Sequence, residues 1–451
     1  MSNSVKPRRP RIRWVLAAVL VVVLVAAWFM MPSGATAFAA GKRVALDAYP
    51  ATITGVPAAA DSNDAVSRGR YLAAAADCEA CHTIPGDQPF AGGRPFKTAF
   101  GTLYSPNITP DRQTGIGAWS DADFLKALHE GVNRRGEALY PAFPYASFSL
   151  LTDADVLAIK AYLFSLPAVP RASRANELQF PFNQRGLMVV WSALYNPKAR
   201  YQPVAERTAS WNRGAYLAEG LAHCGDCHTP RNPLQALNNR RKFAGGEAEG
   251  WHAYNLTSDR DSGIGAWNAA DLNDYLRTGR SLEHGAAFGP MAEAVHLSLQ
   301  KLVPADLAAI VEYVRSVPAI SNRNLPAPKL ARAPDHATDS LAADQRNPGG
   351  QALYASLCSG CHTWAGANDY VPHALLTGTR SVNDPAAVNV AQALLHGATP
   401  LPSSEGKIAM PSFGGWSDAQ IADLSNYVIA RFGAAPSSIS PAEVRRLRAA
   451  N

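Results

Sequence analysis

Apolar residues recur at helical spacing near the ends of two long stretches of this chain. Val156, Ile159 and Leu163 lie in "LTDADVLAIKAYLFSLP" (151–167), and Leu307, Ile310 and Val314 lie in "LVPADLAAIVEYVRSVP" (302–318). A period of three to four residues predicts an amphipathic helix in each, its stripe turned to a core. "WSDAQIADLSNYV" (416–428) closes a third stretch in the same way. Ser120 and Ser417 stand where helix N-caps belong. "SPAEVRRLRAA" (440–450) reads as a last short helix, with Ser440 as cap, Pro441 at the first position and Glu443 completing a capping box.

One run departs from this pattern. "WVLAAVLVVVLVAAWFMM" (14–31) is apolar on every side for eighteen residues, long enough to cross a bilayer as a helix. Lys6, Arg8, Arg9, Arg11 and Arg13 precede it, which predicts a cytoplasmic start and export of everything beyond. "AFAA" (37–40) offers a cleavage site for a removed signal, but the length favours a retained anchor. The expectation is a protein of the cell inner membrane, with one N-terminal transmembrane helix and its folded part in the periplasm. Those five residues also supply five of the six net positive charges. The folded part is therefore near neutral, which argues against nucleic acid as a partner.

The stretches are copies of one another. "RGRYLAAAADCEACHT" (68–83) matches "RGAYLAEGLAHCGDCHT" (213–229), and "NITPDRQTGIGAWSDADF" (107–124) matches "NLTSDRDSGIGAWNAADL" (255–272). A more divergent third copy begins "GGQALYASLCSGCHT" (349–363). Each reads as an opening helix, a loop, a middle helix and a closing amphipathic helix. The chain then divides into a leader, anchor and linker (1–66), a first domain (67–170), a connector (171–207) and a second domain (208–320). A linker rich in Pro and Ala (321–346) and a third domain with the last helix (347–451) complete it. The predicted fold class is all-α.

Six cysteines in an exported chain would ordinarily form three disulfides. Here they fall in three pairs, Cys78/Cys81, Cys224/Cys227 and Cys358/Cys361, and each pair is followed at once by His: "CEACH", "CGDCH" and "CSGCH". This is the attachment motif of c-type haem. Two thiols on one helical turn bond the macrocycle, and the next side chain meets the iron. A zinc knuckle would need a second ligand pair for each motif, and the sequence offers none. Three copies predict three covalently bound haem c groups, with tandem cytochrome c-like domains to hold them.

His82, His228 and His362 are the expected proximal ligands. A Met thioether commonly closes the opposite face. Beyond Met1, Met30 and Met31, the chain has three methionines, Met188, Met291 and Met410. Met291 in "FGPMAEA" and Met410 in "KIAMPSF" occupy matching places on Pro-flanked loops before a closing helix, and both are expected to bind iron. The first copy has "LYPAFPY" (139–145) there, and Phe143 cannot. Met188 from the connector, His129 on the middle helix and an open or water-filled position are the three alternatives, Met188 ranking first. Trp119 and Trp267 are candidates to wall the pockets, and Asn107, Asn255, Arg112 and Arg260 to bind propionates.

Taken together, the three motifs, "NITPDRQTGIGAWS", "YPAFPY" and "FGPMAEAV" resemble the triheme cytochrome c subunit of bacterial membrane-bound dehydrogenases. The resemblance covers almost the whole exported region. It implies electron transfer from a separate catalytic subunit to ubiquinone or a terminal oxidase. The Phe143 loop resembles the branch serving molybdopterin dehydrogenases rather than quinoprotein or flavoprotein ones. No dinucleotide fingerprint and no catalytic triad is present, so no substrate site is expected in this chain. The rival from another class is a peroxidase-like enzyme working at an open first haem.

Overall fold

The computed structural model describes Trp14 and residues 41–60, 64–331, 347–368, 371–398 and 409–450. The expected anchor, 14–31, lies outside this set except for Trp14, as does most of the linker before residue 347. Among the described residues no helix is long and apolar enough to cross a membrane.

Sixteen α-helices carry the described fold. The first unit holds α1 (Ala65–Ala75), α2 (Cys78–His82), α3 (Asp121–Glu130), α4 (Tyr145–Phe148) and α5 (Asp153–Ser165). The connector adds α6 (Leu187–Tyr195). The second unit repeats the set as α7 (Ala209–Tyr216), α8 (Gly225–His228), α9 (Ala269–Thr278), α10 (Gly289–Leu297) and α11 (Pro304–Arg315). In the third are α12 (Pro348–Leu357), α13 (Ser359–His362), α14 (Val388–His396), α15 (Asp418–Phe432) and α16 (Pro441–Ala450). The caps fall as their residues dictate. Ser120 with Asp123 and Ser417 with Gln420 form capping boxes, and Ser440 with Glu443 does the same before α16.

The all-α expectation needs correction. Short antiparallel strands fold the loops after the first two haem motifs, pairing Pro95–Thr98 with Gly101–Tyr104 and Gly246–Ala248 with Trp251–Ala253. Two-residue strands add Glu177–Leu178 to the first hairpin and form a third sheet from Arg280–Ser281 and Gly285–Ala286. Polar backbone in a long loop must find partners, and hairpins supply them locally. Helical periodicity carries no trace of them.

In every unit the opening helix crosses the closing helix at a glycine. A Cβ at Gly69 would lie 1.8 Å from the Ala158 carbonyl oxygen, one at Gly214 1.9 Å from that of Ala309, and one at Gly350 2.5 Å from that of Asp423. The helices therefore meet backbone to backbone, which only glycine permits. The second unit has one residue more between its glycine and its first cysteine than the first unit has. That residue is absorbed as a π-helical turn, Leu217–Leu221, the usual consequence of an insertion in a helix.

The first two units share one apolar core, whereas the third has its own. Where units one and two meet, they exchange equivalent contacts. Tyr71 on α1 donates to Asp306 of the second unit at 2.7 Å, and Tyr216 on α7 donates to Asp155 of the first at 2.6 Å. Arg213 donates to Asp306 and to the Ile53 carbonyl. The two repeats are thus related by a pseudo-twofold exchange, as in an isologous dimer.

Candidate haem sites

Each short attachment helix places two cysteines and a histidine on one turn. In units one and two it is preceded by a residue in left-handed backbone, Asp77 (φ 52°) and His223 (φ 33°), which turns the chain sharply into the motif. Burial pushes the thiols of Cys78, Cys81, Cys224 and Cys227 up to about 12 and that of Cys358 to about 11. Such surroundings disfavour the thiolates a zinc site needs and suit neutral thioethers. Among the described residues no cluster of three or more His, Cys, Asp or Glu is arranged to hold a metal ion.

The three histidines are oriented alike. His82 Nδ1 donates to the Pro106 carbonyl at 2.9 Å, His228 Nδ1 to that of Tyr254 at 2.6 Å, and His362 Nδ1 to that of Ala374 at 2.8 Å. Burial holds all three below the usual imidazole range, so each is neutral with its proton on Nδ1. Nε2 then keeps a lone pair for a metal, its direction fixed by the carbonyl behind it. Thiol pairs and aimed imidazoles fit covalent haem at all three motifs.

The distal candidates are placed less uniformly. Met291 sits in the first turn of α10 after Pro290, half-buried against the shared core. Met410 packs against the third core, and its carbonyl accepts from the Ala398 amide at 2.9 Å. Phe143 turns its ring toward Phe148, centroids 5.5 Å apart, and Tyr145, 6.5 Å apart. Met188 lies in the first turn of α6, half-buried, and is not among the residues packed on either core. His129 is buried, and Arg200 Nη2 donates to its Nδ1 at 2.5 Å. That bond leaves the imidazole proton on Nε2. Burial and the adjacent Arg200 hold His129 at about 4.

One other expectation is corrected. Asn107 and Asn255 are buried and spend their side chains close by: each accepts from the amide two residues on, and each donates to a carbonyl just beyond its unit's closing helix, Val169 or Ile320, at 2.8 Å. They pin loops and leave nothing for propionates. Trp119 and Trp267 both pack on the shared core, and Trp267 is also stacked on His284 at 3.7 Å.

Sequence reading missed the groups that join one site to the next. Arg94 donates to the Ala80 carbonyl within α2 at 2.5 Å and to Glu293 on α10 at 2.6 Å, with Glu249 at 3.2 Å. It ties the first attachment helix to the helix carrying Met291. Conversely, Ser147, just after the Phe143 loop, donates to Asp226 inside the second motif at 2.7 Å. The second and third units join through His252, whose ring lies 2.8 Å from buried Asp384, and through Tyr254, which donates to the same carboxylate at 3.2 Å. Tyr254 also supplies the carbonyl behind His228. The equal positions of Tyr71 and Tyr216, and of Asp155 and Asp306, are visible in the repeats; their partners are not.

Two segments, 66–167 and 349–430, match the cytochrome c family model. The chain is 38% identical to the gluconate 2-dehydrogenase cytochrome c subunit of Pantoea cypripedii, over 86% of this chain and 90% of that one. The chain belongs to the cytochrome c subunits of bacterial dehydrogenases. It is also 39% identical to the fructose dehydrogenase cytochrome subunit of Gluconobacter japonicus, over 85% of this chain and 82% of that one. To a nicotinate dehydrogenase subunit of Pseudomonas putida it is 41% identical over 82% of its own length, but it spans only 30% of that relative. As a dehydrogenase cytochrome subunit, it is an electron-transfer protein with covalent haem.

Proposed function

We propose that this subunit carries three haem c groups and passes electrons from a catalytic dehydrogenase subunit to ubiquinone or a terminal oxidase, anchored in the inner membrane by residues 14–31 with its haem units in the periplasm. Each haem, when bound, supplies a one-electron iron couple. Cys78 and Cys81, Cys224 and Cys227, and Cys358 and Cys361 would hold the macrocycles; His82, His228 and His362 would ligate on one side. Met291 and Met410 would close the second and third sites, and Met188 is the proposed sixth ligand of the first. The observation that carries this reading is the threefold repetition of a neutral, carbonyl-oriented imidazole directly after a pair of cysteines. The resemblance of the Phe143 loop, together with the likeness to a nicotinate dehydrogenase subunit, favours a molybdopterin partner.

The protein's own contribution is placement. Carbonyl partners fix the imidazoles, and Arg94, Ser147 and Tyr254 join neighbouring sites by direct hydrogen bonds. A peroxidase would need an acid–base group over its iron, but Phe143 is flanked by the rings of Phe148 and Tyr145. Intact mass of the mature protein tests the proposal, with three haems expected beyond the polypeptide. Peroxide turnover at a high-spin haem would favour the enzyme instead.

A further inference from the structure

The connector between the first two units exposes an apolar face that the electron-transfer role does not use. Phe180 is 79% exposed, Val189 61%, Val190 60%, Leu194 47% and Leu187 46%. Leu187, Val190 and Leu194 form one stripe at helical spacing on α6. The opposite flank is fixed in place: Asn196 donates to the His129 carbonyl at 3.0 Å, Ser192 is buried, and Trp191 donates to the Leu234 carbonyl at 2.8 Å. The stripe therefore cannot roll inward. So much contiguous apolar surface marks a contact site rather than scattered exposure.

We propose that this face of α6, with the Phe180–Phe182 turn, seats in the lipid surface of the membrane. Two observations select lipid over a protein partner. Residues 178–205 contain three basic side chains and no acidic one; Arg200 is paired with Asp153, which leaves Arg185 and Lys198 to favour anionic headgroups. The chain's route is the second. The amides of Lys42 and Val44 donate to Glu206 and to the Pro203 carbonyl at 2.8 and 3.0 Å, and Arg43 pairs with Val204. The residues that emerge from the apolar 14–31 run are thus pinned to the connector that carries α6. The ten residues from 32 to 41 reach at most about 35 Å, and Asn196 is only seven residues before Pro203, so a bilayer holding 14–31 lies within reach of the stripe. A nine-residue helix is too short to span and lies in the interface. The geometry rests on the reading of 14–31 as a retained anchor, and the test separates the two.

The full-length holoprotein is reconstituted in vesicles of phosphatidylethanolamine and phosphatidylglycerol containing a lipid with a photoreactive acyl chain, then mapped by peptide mass. Adducts are expected on peptides covering 180–195 and 14–31. The double variant Val189→Asp/Val190→Asp loses the first set and keeps the second, with three haems still attached as the check on folding. Adducts on 14–31 alone overturn the proposal. Adducts on α6 in a mature chain lacking 14–31 overturn the anchor and leave the surface contact standing.

Discussion

Phe143 puts a ring against Phe148 and Tyr145 at the place where a thioether would close the first iron. Thioether ligation stabilises ferrous iron and raises the potential. Unless Met188 already supplies that thioether, Phe143→Met is expected to raise one of three midpoints in a potentiometric titration and to leave the other two unchanged. If Met188 is the ligand, Met188→Leu creates a high-spin haem that binds carbon monoxide; if neither substitution alters the spectrum, both accounts fail. A second residue-scale prediction concerns Glu219, buried with Lys242 and Tyr313 around it. Glu219→Ala removes the buried carboxylate that Lys242 and Tyr313 share and is expected to cost about 3–5 kcal/mol, read as a lower unfolding midpoint of the holoprotein. Replacing Glu219 and Lys242 together by methionine should cost far less, because an apolar pair needs no compensation.

Helix crossings set the next scale. Gly214→Ala must push α7 away from the Ala309 carbonyl, for about 1–3 kcal/mol of overpacking, whereas Gly186→Ala, with nothing within 4 Å of its Cβ, should be nearly silent in the same melt. The opening and closing helices are legible in the sequence because their apolar stripes and caps are local features. The hairpins after the first two motifs are not, since strands of three or four residues built around Gly101 and Gly250 leave no alternating pattern long enough to read. Asn107 and Asn255 mislead for another reason. An Asn that begins a tight loop usually bonds its own backbone, and the same polar side chain near a haem motif reads equally well as a propionate partner. The π turn at Leu217–Leu221 is written in the sequence as a one-residue difference in length between two repeats.

At the scale of the whole molecule, contacts distant in sequence decide how the units sit. Tyr71 meets an aspartate 235 residues away, and nothing in one chain's sequence names that partner. The attachment motifs are legible because their chemistry is contained in five residues; the groups joining them are not, since Arg94, Tyr254 and Asp384 come from separate loops. Between units two and three, Asp384 raises His252 above the usual imidazole range. The sign follows: native protein holds this proton more tightly than the unfolded chain. Its stabilisation is therefore full below about 6.5 and is lost as pH rises through the native value. Hydrogen exchange in the hairpin of Gly246–Ala248 and Trp251–Ala253 should accelerate over that window, and His252→Gln should flatten the dependence. His129 acts with the opposite sign. Held at about 4, it withdraws stability as pH falls from about 6.5 toward that value.

The family model matches the first and third units, and the second carries the same attachment motif, so the number of redox centres per chain is the quantity to measure. Anaerobic reductive titration of the purified chain, followed at the c-type absorption bands, measures it directly. Three electron equivalents per chain, in three one-electron steps, are predicted, with Cys224→Ala/Cys227→Ala removing one of them. Two equivalents in the wild-type chain, unchanged by that substitution, would contradict the central claim.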